Sequence, residues 1–241
     1  MSARAAFRFA AALAAVAASP ACEFVHPLDV DPDVVSVAIM LVAGEREARL
    51  LAVHPTYAHQ WPGPLRCLRA VLPQEIRGGG EYEIEGTAPL GAFSGKVVLP
   101  AAPVLIEPGD SLHLPGPTEY EFHPIPIRYR IGSDVGTLLA DVLDAFRTEE
   151  DGMETELDMG YVASEPLEGA EADTIFFFYQ DRPLRFSLRL LGIGWNYTNF
   201  LENEGLFPLP RPWPGFGIEG EGVYGYFDGI VPSRVSKVWV R

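Results

Sequence analysis

The chain has 241 residues, 48% of them apolar and 21% charged, with 33 acidic against 18 basic side chains and a formal net charge of −15. That is enough apolar material for one large or two small packed domains, and it excludes the compositions of disordered and collagen-like chains. The acidic surplus argues against nucleic acid as a partner, because a polyanion is repelled before any local basic patch can act.

The first 21 residues read as an address. Arg4 and Arg8 precede an apolar run from Phe9 to Ala18, followed by Ser19, Pro20 and Ala21. This is the layout of a secretory signal peptide, and a run of ten is far short of the roughly 20 residues that span a bilayer. Cys22 follows directly. A cysteine in this place resembles the bacterial lipoprotein signal, in which it is acylated and becomes the new N-terminus. Ser19 and Pro20 stand where such signals carry Leu and a small residue. Ordinary cleavage after Ala21 is the other reading, since Ser19 and Ala21 also satisfy a small-x-small rule. Acylation of Cys22 leaves Cys67 as a lone, buried thiol, whereas a free Cys22 allows a disulfide to Cys67. The expected location is the outer membrane by lipid anchor, with a periplasmic or secreted protein as the alternative.

Beyond the signal, a β-branched run from Val34 to Val42 and a second from Ala48 to Val53 flank a Gly44-Glu45 turn and predict a hairpin. Tyr82 to Gly86, Lys96 to Leu99, Val104 to Ile106 and Ser111 to Leu114 are short apolar runs bounded by Gly or Pro. Their spacing predicts a mostly β chain with an immunoglobulin-like or transthyretin-like β-sandwich over 22–117, closed by Pro115-Gly116-Pro117. A second β-rich domain with one or two short helices is expected over 118–241. It starts with a strand from Ile125 to Ile131. Val135, Leu138, Leu139, Val142, Leu143 and Phe146 then fall at helical intervals behind Ser133 and Asp134, predicting an amphipathic helix over 134–148. From 144 to 173 there are eleven acids against the single base Arg147. That stretch reads as a solvated acidic loop or partly disordered segment, without the ligand spacing of an EF-hand. Thr174 to Tyr179 and Leu184 to Leu191 read as strands, the second with Leu184, Phe186, Leu188 and Leu190 inward and Arg185, Ser187 and Arg189 wet. A short helix over 197–204, a loop with prolines at 208, 210, 212 and 214, and strands over 222–227 and 233–240 complete the chain.

The densest side-chain chemistry is His54-Pro-Thr-Tyr57-Ala-His59-Gln-Trp61. Two histidines five apart specify no third metal ligand, so packing in a loop and a ligand-binding loop stand ahead of a metal site. Trp213, held out by alternating prolines, is a further candidate for stacking on a ligand, and Trp195 is read as a core residue. Gly215-Phe-Gly217-Ile-Glu-Gly220 has the letters of a dinucleotide loop, but a Pro-rich loop before it and a strand after it deny the context. Asn196-Tyr-Thr198 is a formal glycosylation sequon, and Asn196 is expected to cap the helix. No nucleophile elbow, phosphate loop or His-Glu-x-x-His motif occurs, and no catalytic residue, metal or cofactor is implied.

One resemblance joins these features. Cys22, Gly80-Glu-Tyr82-Glu-Ile-Glu-Gly86, Phe93-Ser-Gly95, Val98-Leu-Pro100-Ala-Ala-Pro103, Trp195-Asn-Tyr197-Thr-Asn-Phe200-Leu201 and Gly220-Glu-Gly222-Val-Tyr-Gly225-Tyr-Phe227 follow one another along the chain. In that layout the chain resembles the uncharacterised outer-membrane lipoproteins classed as domain of unknown function four-two-four-nine. That family is associated with TonB-dependent uptake receptors. The resemblance implies a non-catalytic accessory or binding role, an outer-membrane receptor or extracellular ligand as partner, and a membrane contact through Cys22. The alternative expectation is a periplasmic or secreted hydrolase with its site near His54, His59 and Trp61.

Overall fold

The structure, a computed structural model, describes residues 35–53, 65–115, 122–157, 161–164, 173–178, 184–204 and 216–240. The chain is mostly β, as its composition and turn spacing predict. In chain order the strands before the helix are β1 (Val35–Val42), β2 (Glu47–Val53), β3 (Leu65–Val71), β4 (Glu81–Ala88), β5 (Gly91–Val98), β6 (Val104–Glu107), β7 (Ser111–Leu114), β8 (Phe122–Arg130), β9 (Thr137–Thr148), β10 (Glu154–Leu157), β11 (Tyr161–Ser164), β12 (Asp173–Phe178) and β13 (Leu184–Ile193). Helix α1 (Trp195–Glu204) follows, then β14 (Ile218–Gly220), β15 (Val223–Pro232) and β16 (Ser236–Val240). Among the described residues no helix is long and apolar enough to cross a membrane.

Two compact units result, each from two stretches of chain: Met1–Leu99 with Gly194–Ile230, and Pro100–Ile193 with Val231–Arg241. The strands expected to share one sandwich over 22–117 are thus divided, β1 to β5 in the first unit and β6 and β7 in the second. The reason is pairing. β7 lies parallel to β16, so the segment that looked like the end of an N-terminal domain is held by the last strand of the chain.

In the first unit the expected hairpin is present, β1 antiparallel to β2, with β3 antiparallel beyond it. On its other side β1 takes β15 as a parallel neighbour. Gly225 allows that approach: its φ is +120°, and a Cβ there would stand 1.9 Å from the carbonyl oxygen of Val37. A second small sheet joins β4, β5 and β14. Val97 and Ile218 of this sheet and the adjoining Leu99 are buried, as are Val37, Ile39, Leu41 and Phe227 of the first sheet. Leu99 lies against Gly229 and Phe227 against Gly95, so the two sheets touch through these residues.

In the second unit β9, β13, β16 and β7 lie side by side, with β10 and β11 both antiparallel to β9. A separate sheet has β8 between β6 and β12. Leu105, Ile125, Ile127 and Tyr129 from the latter pack with Leu138, Leu184, Phe186, Leu188, Leu190, Val238 and Val240 from the former in one buried cluster. Each fully buried Leu or Ile of this kind contributes about 1.5–3 kcal/mol, so this cluster dominates the unit's stability.

Two expectations fail here. The segment over 134–148 is strand β9 and no helix. Its even residues Leu138 and Ala140 face the core, and a register shift opposite Arg185 to Ser187 then hands the inward side to Ala145. A bulge of this sort inserts one residue and slips the alternation, and apolar side chains on both faces complete the imitation of a helical period. Asp134, expected as its cap, instead accepts the backbone N–H of Ala101 at 2.7 Å. The acidic stretch over 144–173 is also not a plain loop. It supplies β10 and β11, and its carboxylates are met by arginines, Glu149 by Arg147 and Glu154 by Arg185. The N-terminal signal, Cys22 and the loop from His54 to Trp61 lie outside the described residues, as does Trp213.

Candidate functional site

Of the residues singled out from sequence, Cys22, His54, Tyr57, His59, Trp61 and Trp213 lie outside the described set. Cys67 has a backbone place in β3 opposite Leu51. Trp195, expected in the core, is 48% exposed at the first position of α1. Two constellations that sequence reading did not single out carry the most side-chain chemistry among the described residues.

The first surrounds the start of α1 in the first unit. Asp228, on β15, is 1% exposed. One carboxylate oxygen accepts the backbone N–H of Tyr197 at 2.7 Å and the other that of Gly229 at 2.7 Å, with a further backbone bond from Asn196. The first N–H groups of a helix have no partner within it, and a carboxylate there also meets the positive end of the helix dipole. Asp228 therefore caps α1 from a distant strand. Asn196, expected in that role, sits inside the first turn and donates its Nδ2 hydrogen to the Phe227 carbonyl at 3.0 Å. The Thr198 hydroxyl donates back to the Gly194 carbonyl at 3.0 Å. The sequon is thus folded into the helix start. Gly217, with φ of +74°, leaves no room for a Cβ, which would stand 2.4 Å from Asn196 Nδ2, so the glycine serves packing and a strand follows it.

Burial raises the pKa of Asp228, against the opposing pull of its backbone donors. Burial also raises Tyr226, helped by the nearby Tyr197 and Asp228, and raises Tyr197. Both phenols stay protonated at neutral pH. Their rings meet edge to face at 5.0 Å, and Phe200 packs on Tyr226 at 4.9 Å and on Phe216 at 6.5 Å. The carboxylate is spent on backbone donors, and the arrangement fixes α1 to its sheet.

The second constellation lies on the polar face of the β7, β16, β13 and β9 sheet in the second unit. His113, Trp239, Arg185 and Phe146 are register partners across these four strands. At about 4.8 Å per strand the row is roughly 14 Å long. His113 and Trp239 are stacked, 4.7 Å between centroids and 9° from parallel. Arg185 lies 4.4 Å above the Phe146 ring and reaches past it to Glu154, donating to both carboxylate oxygens at 2.8 and 2.7 Å. The Arg185 hydrogen bonds hold Glu154 below the usual carboxylate range.

Beside that row, Lys237 Nζ donates to Ser187 Oγ at 2.7 Å, and the Ser187 hydroxyl points its own hydrogen to Asp144 at 3.4 Å. Asp144 is at the bulge and has φ of +49°, the one positive φ of a non-glycine residue among those described. Bulges and such conformations re-aim side chains and collect at functional sites. Ser187 was expected to be wet but is buried, because Lys237 and Asp144 close over it. One residue pair further along, Arg189 Nε holds buried Asp141 at 2.6 Å. Among the described residues Arg185, Lys237 and Arg189 on this face each have a carboxylate or hydroxyl partner, so the face offers stacked rings and fixed polar groups. The alternation of Arg185, Ser187 and Arg189 is the sequence signal for it. Its partners on β16 and β7 follow only from the strand order.

Among the described residues no three His, Cys, Asp or Glu side chains gather as a metal site. Comparison with family models, with curated proteins and with solved structures returns no match.

Proposed function

We propose that this chain is an exported lipoprotein, acylated on Cys22, that acts at the outer membrane by binding a receptor or an extracellular ligand. The observation that carries the reading is Cys22 itself, one of only two cysteines, directly behind a basic start, an apolar run and small residues. The resemblance to the outer-membrane lipoproteins supplies the compartment and the accessory role. The row of His113, Trp239, Arg185 and Phe146 supports the binding role, because amphipathic aromatic rings and Arg are the side chains that anchor recognition surfaces. Its charges are internally neutralised, so it suits a neutral or mixed polar partner better than a polyanion.

Intact mass of the protein taken from its native membranes tests the anchor. The expected mass is that of a chain beginning at Cys22 plus acyl groups, with Cys67 a free thiol, and Cys22→Ser should move the protein to the soluble fraction. An unmodified Cys22 joined to Cys67 would overturn the proposal.

A further inference from the structure

We draw no further inference here: the strongest candidate, the Lys237, Ser187 and Asp144 bridge at the β9 bulge on the polar sheet face of the second unit, belongs to the site already described, its three groups satisfy one another, and nothing in the structure shows what covers it.

Discussion

Replacing Asp228 by Ala tests whether a carboxylate on β15 holds α1. The substitution strips the acceptor from the backbone N–H groups of Asn196, Tyr197 and Gly229. Loss of an N-cap costs about 0.5–2 kcal/mol, and a further buried donor left unpaired costs about 1–3 kcal/mol. Removing a buried charge returns part of its desolvation, so the expected loss is about 2–4 kcal/mol. Asp228→Asn keeps one acceptor oxygen but sets its NH2 against a backbone donor, and should cost about 1–2 kcal/mol. Urea unfolding gives the size, and amide hydrogen exchange over 196–201 gives the place, since protection should fall there first. The pH dependence has a definite sign. Because burial raises the folded-state pKa of Asp228, its contribution is fully present below the unfolded value of about 3.9 and is lost as pH rises through the folded value. The stability of the native protein relative to Asp228→Asn should therefore grow as pH falls from neutral toward 4. An unchanged urea midpoint for Asp228→Ala, with α1 amides as protected as before, would refute the capping argument.

Gly225→Ala places a methyl 1.9 Å from the Val37 carbonyl oxygen at a φ of +120° and should cost about 3 kcal/mol or more, or prevent the parallel pairing of β1 with β15. Thermal unfolding decides, and a variant as stable as the parent would show that the strands can part without penalty. Arg185→Gln should bring the Glu154 carboxyl back up toward its ordinary range, read from its NMR titration, because the guanidinium bonds that lower it are gone. No movement of Glu154 would mean that the forked contact is not formed in solution. Trp239→Ala removes the centre of the aromatic row and the stack on His113, worth about 0.5–1.5 kcal/mol beyond its buried area. If that face binds the partner, capture by the variant from native membranes should fall at least tenfold while its fold, checked by circular dichroism, is kept. Full capture would place the binding surface elsewhere.

Strand existence is legible in this sequence wherever Gly and Pro bound an alternating apolar run. Leu184 to Leu190 is the clearest case, because one face must be buried and a slip of one residue would expose all four side chains. β9 is illegible for the opposite reason. Leu139, Leu143 and Phe146 make its second face apolar, and Asp144 shifts the phase, so no short-range pattern separates it from a helix. The acidic stretch misleads by counting only its own bases. Arg185, twelve residues beyond its end, enters register beside Phe146 and draws Glu154 onto an ordered strand.

The candidate sites are hidden by the same kind of distance. Asp228 stands one residue past the strand expected over 222–227, and nothing near it in sequence calls for a buried acid. Only once β15 is threaded parallel to β1 does Asp228 stand level with Met40, thirty-one residues beyond the Tyr197 N–H it accepts. Likewise His113 and Trp239 are 126 residues apart and meet because β7 and β16 pair. Both contacts depend on parallel neighbours, whose connections are long and leave no local turn signal. A sequence reading built on hairpins and short spacings finds the antiparallel half of such a chain and misses the contacts made where its distant strands run side by side.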